Sequence, residues 1–191
     1  MDNDQIADFL AHVAADRAIT TVALTEFGID ATALKRLERA GQIYVCEHRL
    51  RRTHESRQDQ TVGFVCRDER TADRPGTTLR HYAGIAEMRR RLLCPRWTLT
   101  MLERPAHDGE VLPDAIWHAP GIEHYVAIEF DTSSQPLWTV KEKGRHYHGH
   151  GISHYWGTTS ARRAENLRAT LESVAGDALS YWVFVVDWMG R

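Results

Sequence analysis

The chain has 191 residues, 42% of them hydrophobic, and carries a formal net charge of −2 with its 11 His counted as neutral. The hydrophobic fraction excludes an intrinsically disordered chain, and the charge balance excludes a polycation that binds nucleic acid through its overall charge. The length allows one large domain or two small ones, and any contact with nucleic acid must come from local basic patches.

Three features of the sequence bear on where the protein works. It begins Met-Asp-Asn-Asp, and this acidity argues against a secretory or transit peptide. Its longest strongly apolar run, Tyr181 to Val186, is too short to cross a bilayer. Cys46, Cys66 and Cys94 lack the close pairing of zinc or redox motifs and suit the core. We expect a reduced, cytoplasmic protein that does not contact a membrane. A homodimer is compatible with these features.

The first part of the chain predicts three short helices. Apolar residues at helical spacing indicate one helix from Asp4 to Ala15, with Asp4 as its N-cap, and a second from Ile19 to Phe27. Asp30 caps the third, and Gly41 ends it. The third helix separates an apolar stripe from outward cations: Ala33, Leu34 and Leu37 against Lys35, Arg36 and Arg39.

A hairpin is predicted next, with strands Gln42–Cys46 and Thr61–Cys66 around the polar stretch Glu47–Gln60. Its tip is basic and carries Arg49, Arg51, Arg52 and Arg57. Three helices followed by a basic hairpin is the order of a winged helix-turn-helix, which we assign to residues 1–70. In that fold the third helix enters the major groove and the hairpin touches phosphates. The candidate DNA contacts are Lys35, Arg36, Arg39, Arg51 and Arg52.

Two alternatives to DNA binding stay open for this part of the chain. A helical bundle would use the same Lys and Arg side chains only to keep its surface soluble. A winged helix can also serve as an adaptor between proteins, and in that case the protein would not bind DNA.

The second part predicts an α/β domain over residues 77–191. The polar stretch Asp68–Thr77, with its Pro75-Gly76 turn, is the expected linker, and a helix follows from Thr78 to Leu93. Short strands then alternate with helices, which indicates a mixed sheet. The predicted strands are Trp97–Leu102, Ala115–Trp117, Tyr125–Asp131 and Tyr181–Asp187, and the predicted helices are Leu137–His148 and Ser160–Val174.

Acidic residues cluster at the ends of these predicted strands. Alternation along Tyr125–Asp131 places Glu129 and Asp131 on one face of a strand suited to burial, where two carboxylates repel each other. Glu103 follows an earlier strand, and Asp114 begins the next. Mg²⁺ prefers carboxylate oxygens, offsets such repulsion and activates water. The pattern therefore suits metal-assisted hydrolysis of a phosphodiester, with Lys141 and Lys143 in the following helix.

The motifs "PDAIW" and "AIEFD" resemble the core of the PD-(D/E)XK nuclease superfamily. In that superfamily a Lys usually follows the second acid by two residues, and here Asp131 occupies its place. This departure resembles the replication-relaxation family of plasmid and mobile-element proteins, whose pattern is Pro-Asp, Glu-x-Asp and a Lys in the next helix. Other stretches agree in order: "LRHYAGIAEMRRRL" with His81, Trp97 with Glu103, "ARRAENLRATL" and "YWVFVV".

The resemblance implies a winged helix joined to a restriction-endonuclease-like domain that cleaves or nicks DNA in replication or relaxation. It implies that Asp114 and Glu129 bind Mg²⁺ or Mn²⁺ and that Asp131 is a third ligand or supports the ligands. Lys143, or else Lys141, would take the catalytic role of the Lys that the superfamily has at the position of Asp131. Because that Lys is displaced, a nuclease fold without catalysis, acting as a DNA-binding regulator or replication accessory, is the alternative.

A histidine-rich run, "RHYHGHGISHYWG", suggests a rival site. Its histidines, His146, His148, His150 and His154, are able to bind Zn²⁺ or Ni²⁺ or to act as a general base, as in HNH nucleases. Gly149 and Gly151 weaken any helix that would align them. A polar loop in which His146 and His148 contact DNA suits the composition equally well, and their protonation would raise DNA affinity at lower pH.

Overall fold

The computed structural model describes residues 2–53, 55–92, 98–101, 111–118, 125–133, 135–175 and 181–189. They form two compact units. The first comprises Met1–Arg52, Ser56–Glu87 and Asp187–Arg191, and the second comprises Thr53–Glu55 and Met88–Val186. The predicted α/β class is confirmed, because the described residues form helices and two sheets, one of which is mixed.

The first unit contains three strands in its described part, and they form an antiparallel sheet in the order β1-β3-β2. Its elements are α1 (Asn3–Asp16), β1 (Ala18–Thr20), a 3₁₀ helix (Thr21–Thr25), α2 (Ala31–Arg39), β2 (Tyr44–Arg51), β3 (Asp59–Cys66), α3 (Glu69–Ala72) and most of α4 (Gly76–Arg91). The stretch predicted as a linker thus includes the short helix α3.

The predicted second helix is wrong in its first part. Residues Ala18–Thr20 pair with Phe64–Cys66 of β3, and a five-residue 3₁₀ helix follows. Ile19 and Thr20 are β-branched and favour the extended backbone that this pairing needs. The partner strand lies more than forty positions later in the chain, so local spacing did not indicate it.

The N-terminal ends of two helices show which of the candidate residues caps each helix. Asp2, rather than the predicted Asp4, caps α1: its Oδ1 accepts from the Gln5 N–H at 2.8 Å, and the Gln5 side chain accepts from the Asp2 N–H. This reciprocal pair satisfies two amide groups, whereas Asp4 has no such partner three residues later. Asp30 caps α2 as predicted, with a 2.8 Å bond from the Ala33 N–H to its Oδ1.

The core of the first unit determines which face of α2 points outward. Ala33 and Leu37 pack into a buried cluster around Phe9, Val13 and Ile43. The opposite side of α2 is exposed and carries Lys35, Arg36 and Arg39, as predicted. Hydrophobic burial along one stripe therefore presents three cations on the other side of the same helix.

The second unit is built around a mixed sheet, whose described strands follow the order β4-β5-β6-β7-β8. Neighbours are antiparallel from β4 to β6 and parallel from β6 to β8. Its elements after α4 are β4 (Thr98–Met101), β5 (Ala115–His118), β6 (Tyr125–Asp131), α5 (Leu137–Gly149), β7 (His154–Thr158), α6 (Ala161–Ala175) and β8 (Tyr181–Val185).

Strand β7 was not predicted, because its sequence lies within the histidine-rich run. It lies between β6 and β8, so its residues are buried on both sides and lack the alternation of a half-buried strand. The aromatic pair Tyr155 and Trp156, between Gly151 and Ser160, was the available signal.

Helices α5 and α6 pack on one face of this sheet. Ala127 and Trp156 of the sheet form a buried cluster with Val140 of α5 and with Leu171 of α6. The two helices approach closely at Gly144, where a Cβ atom would lie 2.8 Å from Leu171 Cδ2. The face of β6 that carries Glu129 is therefore covered.

Among the described residues, no helix combines the length and apolar character that a membrane crossing requires.

Candidate active site

Asp114 and Glu129 face each other across β5 and β6. The antiparallel register pairs Ala115 with Ile128, which places Asp114 opposite Glu129 and on the same face of the sheet. The Asp114 N–H donates to the Ile128 carbonyl at 3.0 Å, and Asp114 Oδ2 accepts from the Phe130 N–H at 2.8 Å. One backbone bond and one bond to the carboxylate, both with residues that flank Glu129, thus hold Asp114 in place.

Two side chains from α5 bind Glu129. Lys143 Nζ donates to both of its carboxylate oxygens at 2.7 Å, and the Tyr147 hydroxyl donates to Oε1 at 2.5 Å. Lys143 and Tyr147 are four residues apart, so they lie on one face of the helix. Of the two predicted lysines, Lys143 therefore contacts Glu129, whereas Lys141 lies on the opposite side of α5. Tyr147 was not predicted, although its spacing from Lys143 signals it.

The electrostatics of this group indicate a shortage of positive charge. Burial, followed by the charge of Asp114, raises the pKa of Glu129 to about 8, although Lys143 and Tyr147 favour the ionised form. Burial alone would lower the pKa of Lys143, but the carboxylates of Glu129 and Asp114 raise it above its ordinary value. Lys143 therefore stays charged, and the two adjacent acids still lack the charge that would keep both ionised.

This donor set fits a hard divalent cation. Asp114 and Glu129 offer carboxylate oxygens side by side, which Mg²⁺ and Mn²⁺ prefer, usually with water and phosphate completing the coordination. A dication at this position would also remove the repulsion that raises the pKa of Glu129. Both acids predicted as principal metal ligands are thus brought together.

Asp131 lies on the same face of β6 but has different partners. Its Oδ1 accepts from the Ser133 N–H at 2.6 Å, and its Oδ2 accepts from Arg163 Nε at 2.8 Å and Nη2 at 2.6 Å. Arg163 Nη2 also donates to the Gln135 carbonyl at 2.5 Å. The geometry favours a supporting role for Asp131, because its negative charge is balanced within the protein. Sequence analysis missed Arg163, which lies 32 residues away.

The histidine-rich run is divided between a helix end and a buried strand. His146 and His148 are in the last turn of α5, and His146 contacts His150 with ring centroids 4.3 Å apart. His154 is buried in β7, where its Nδ1 accepts from Trp156 Nε1 at 2.7 Å and burial lowers its pKa to about 4. In the described part of the chain, no three His, Cys, Asp or Glu side chains converge as a preformed metal site.

The residues predicted to contact DNA differ in whether they form ion pairs or hydrogen bonds with other residues of the protein. Lys35, Arg36 and Arg39 are exposed and line an open cavity of about 310 Å³ on α2. Arg51 forms an exposed ion pair with Asp59 at 3.4 Å. Arg52 is tied more closely to the fold, because its guanidinium bonds Asp187 and its carbonyl accepts from Trp188 Nε1 at 2.8 Å. Glu103, also predicted for the site, lies outside the described residues.

Comparisons with protein-family models, with curated proteins and with solved structures gave no match to this chain. Functional conclusions therefore depend on the residues and geometry described above. The most specific of these is the convergence of Asp114, Glu129 and Lys143.

Proposed function

We propose that this protein is a DNA-binding, metal-dependent DNA nuclease or nickase of the replication-relaxation type, from a plasmid or another mobile element. In this proposal the first unit is a winged helix that binds DNA, and the second is a restriction-endonuclease-like domain that cleaves it. The observation that carries the proposal is the placement of Asp114 and Glu129 side by side, with Lys143 on Glu129.

The residues of the second unit have distinct tasks in this chemistry. Asp114 and Glu129 hold Mg²⁺ or Mn²⁺, which when bound lowers the pKa of water and stabilises negative charge on a phosphate. Lys143 orients Glu129 and supplies the positive charge that the sequence lacks at position 131. Tyr147 keeps its proton, since burial and Glu129 raise its pKa, and its hydroxyl fixes one oxygen of Glu129.

The first unit supports DNA binding through its element order and its charges. Helix α1, strand β1, the 3₁₀ helix, α2 and the β2–β3 hairpin follow in this order, which is compatible with a winged helix-turn-helix. The exposed face of α2 carries Lys35, Arg36 and Arg39 and would enter the major groove. Arg51 near the hairpin tip would contact phosphate.

A second candidate is a DNA-binding regulator or replication accessory with a nuclease fold that has lost catalysis. The observation that favours it is the pairing of both buried acids of β6 with internal cations, Glu129 with Lys143 and Asp131 with Arg163. Each of these two carboxylates therefore has an internal cation as a partner in the absence of a metal. This candidate predicts DNA binding with no metal binding in the low-millimolar range or tighter.

Nicking of supercoiled plasmid tests the main proposal. Wild type with Mg²⁺ or Mn²⁺ should produce open circles, and Glu129→Gln and Asp114→Asn should each reduce the rate by more than about 100-fold, since groups that merely support metal ligands contribute roughly 10–100-fold. Glu142→Gln, an exposed acid on α5, is the matched control and should nick like wild type. DNA binding in EDTA should be similar for all four proteins.

Three other outcomes separate the alternatives. Nicking that persists in both Glu129→Gln and Asp114→Asn would refute the assigned site. DNA binding without nicking, and without heat of Mg²⁺ or Mn²⁺ binding in calorimetry, would favour the regulator. A wild-type protein that binds no DNA at all would favour the protein adaptor.

A further inference from the structure

The first turn of α6 has an unfavourable distribution of charge. Arg162 and Arg163 are its second and third residues, and the turn contains no acid. The N-terminal end of a helix carries partial positive charge, so cations there are disfavoured and anions are stabilised. Asp131 balances Arg163, whereas Arg162 is exposed. An anion at this helix end would relieve the imbalance.

The connection that leads into this helix contains buried hydroxyl groups. Thr158 is fully buried and Thr159 is 6% exposed, and neither Oγ1 has a hydrogen-bond partner in the described part of the chain. Buried polar groups are nearly always hydrogen-bonded, to protein, water or ligand. These two residues immediately precede Ser160 and the first turn of α6. They are a second, independent indication of a polar ligand at this turn.

The surrounding geometry gathers further donors at the same place. Thr158 pairs with Asp131 in the parallel register, so both side chains project from the face on which Arg163 bonds Asp131. Arg163 uses Nε and Nη2 in its bonds to Asp131 and Gln135, and Nη1 takes part in none of them. Ser160 Oγ accepts from the Arg163 N–H at 3.2 Å, so the amides of Ala161 and Arg162 are the ones in this turn that have no intrahelical acceptor.

We propose that the β7–α6 turn, from Thr158 to Arg163, is a phosphate-binding site. Hydroxyl groups, guanidinium nitrogens and helix N-terminal amides all donate hydrogen bonds, and a phosphate has enough oxygens to accept from several of them. The site lies at the carboxyl edge of the parallel strands, where ligands of α/β sheets commonly bind. The identity of the ligand rests on the proposed function: it is a DNA backbone phosphate close to the Glu129 centre.

One acid opposes this ligand. Ser160 Oγ lies 3.4 Å from Glu55 Oε1, so the Glu55 carboxylate lies at the edge of the proposed site. Its charge repels an anion, and its removal should strengthen phosphate binding. Glu55→Gln and Arg162→Ala therefore have opposite expected effects, which a general change in stability would not produce.

The first test uses inorganic phosphate and the full chain. Thermal unfolding is measured with about 50 mM phosphate and with chloride at equal ionic strength, where a millimolar site should raise the wild-type Tm by several degrees. The rise should be at least halved in Arg162→Ala and Thr159→Val and enlarged in Glu55→Gln. Arg168→Ala, which removes an exposed arginine farther along α6, should keep the wild-type rise. Equal rises in wild type, Arg162→Ala and Thr159→Val would overturn the site.

The second test identifies the ligand. Fluorescence anisotropy with a labelled duplex in EDTA should show that Arg162→Ala weakens binding several-fold and reduces the salt slope by about 1, the effect of one phosphate contact. Arg168→Ala should leave the slope unchanged, and equal slopes for wild type and Arg162→Ala would exclude DNA at this site. If wild type binds no DNA yet phosphate raises its Tm through Arg162, the proposed function fails and the phosphate site stands.

Discussion

Glu129 and Asp131 lie two residues apart on one face of one strand and are equally buried, yet their surroundings differ. Asp131 is matched by a guanidinium that donates two bonds to its Oδ2 and by a backbone amide that donates to its Oδ1. Glu129 shares one ammonium with neighbouring Asp114, and its pKa rises to about 8. The comparison teaches that two equally buried carboxylates can differ in how far the surrounding positive charge balances them. The deficit of positive charge around Glu129 distinguishes it.

The largest expected effect comes from breaking the Asp131 pair. Arg163→Ala leaves a buried carboxylate without its counter-charge, and removal of one partner of a buried ion pair costs about 3–5 kcal/mol of unfolding free energy. Urea denaturation would measure it. Arg162→Ala, the neighbouring exposed residue, is the control and should change stability by less than about 0.5 kcal/mol. The double variant Asp131→Asn/Arg163→Gln should recover part of the loss, and equal losses in double and single variants would contradict the pair.

A smaller loss is expected when the Glu129 pair is broken. Lys143→Met removes the ammonium, but Glu129 can take up a proton at neutral pH because its pKa is already about 8. The unfolding free energy should therefore fall by about 1–3 kcal/mol, the cost of a lost hydrogen-bond partner. Lys141→Met is the control on the same helix. A loss in Lys143→Met as large as that of Arg163→Ala would show that both carboxylates stay ionised and would remove the contrast between them.

The smallest effect is a pH dependence of stability that Glu129 contributes. Burial raises the pKa of Glu129 from 4.5 to about 8, so between these values the folded state binds more protons than the unfolded state. Stability in EDTA should therefore decline as pH rises, by about 1 kcal/mol per pH unit between pH 5 and 7. Glu129→Gln should lack this slope. An identical slope in both proteins would place the titration elsewhere.

If Mg²⁺ or Mn²⁺ binds at Glu129 as proposed, its stabilising effect has the opposite dependence on pH. Binding of Mg²⁺ or Mn²⁺ requires Glu129 to lose its proton, so the stabilisation that the metal provides should increase with pH. The same unfolding experiments, repeated with saturating metal, would measure it. Stabilisation that decreases with pH would contradict coordination by Glu129.

Local signals in the sequence were sufficient for much of this picture. The alternation along β6 placed Glu129 and Asp131 together, and the cap at Asp30 with the stripe of α2 was predicted correctly. Lys143 was one of two lysines considered, and its four-residue spacing from Tyr147 distinguishes it once the sheet is known. These features depend on the side-chain periods of a strand, two residues, and of a helix, 3.6 residues, and both periods can be recognised within a short stretch of sequence.

Most of the missed features depend on partners far along the chain, although Tyr147 lies only four residues from Lys143. Strand β1 forms because it pairs with β3. Strand β7 pairs in parallel with β6 and β8, and parallel neighbours are not joined by a hairpin. Arg163 belongs to the site only because β7 returns the chain beside β6. The raised pKa of Glu129 depends first on burial and then on the charge of Asp114, which directly precedes β5. Spacing within a short stretch carries none of this information.

Gly144 gives the close contact between α5 and α6 a consequence for the position of Lys143. It follows Lys143 directly, and a Cβ there would meet Leu171 Cδ2 at 2.8 Å and Val174 Cγ2 at 3.1 Å. A methyl group at this position would push α5 outward, and Lys143 and Tyr147 would move with the helix, away from Glu129. The position of Lys143 thus depends on a missing side chain one residue farther along α5, on the side of the helix that packs against α6, so a change in the hydrophobic core can alter the contact between Lys143 and Glu129.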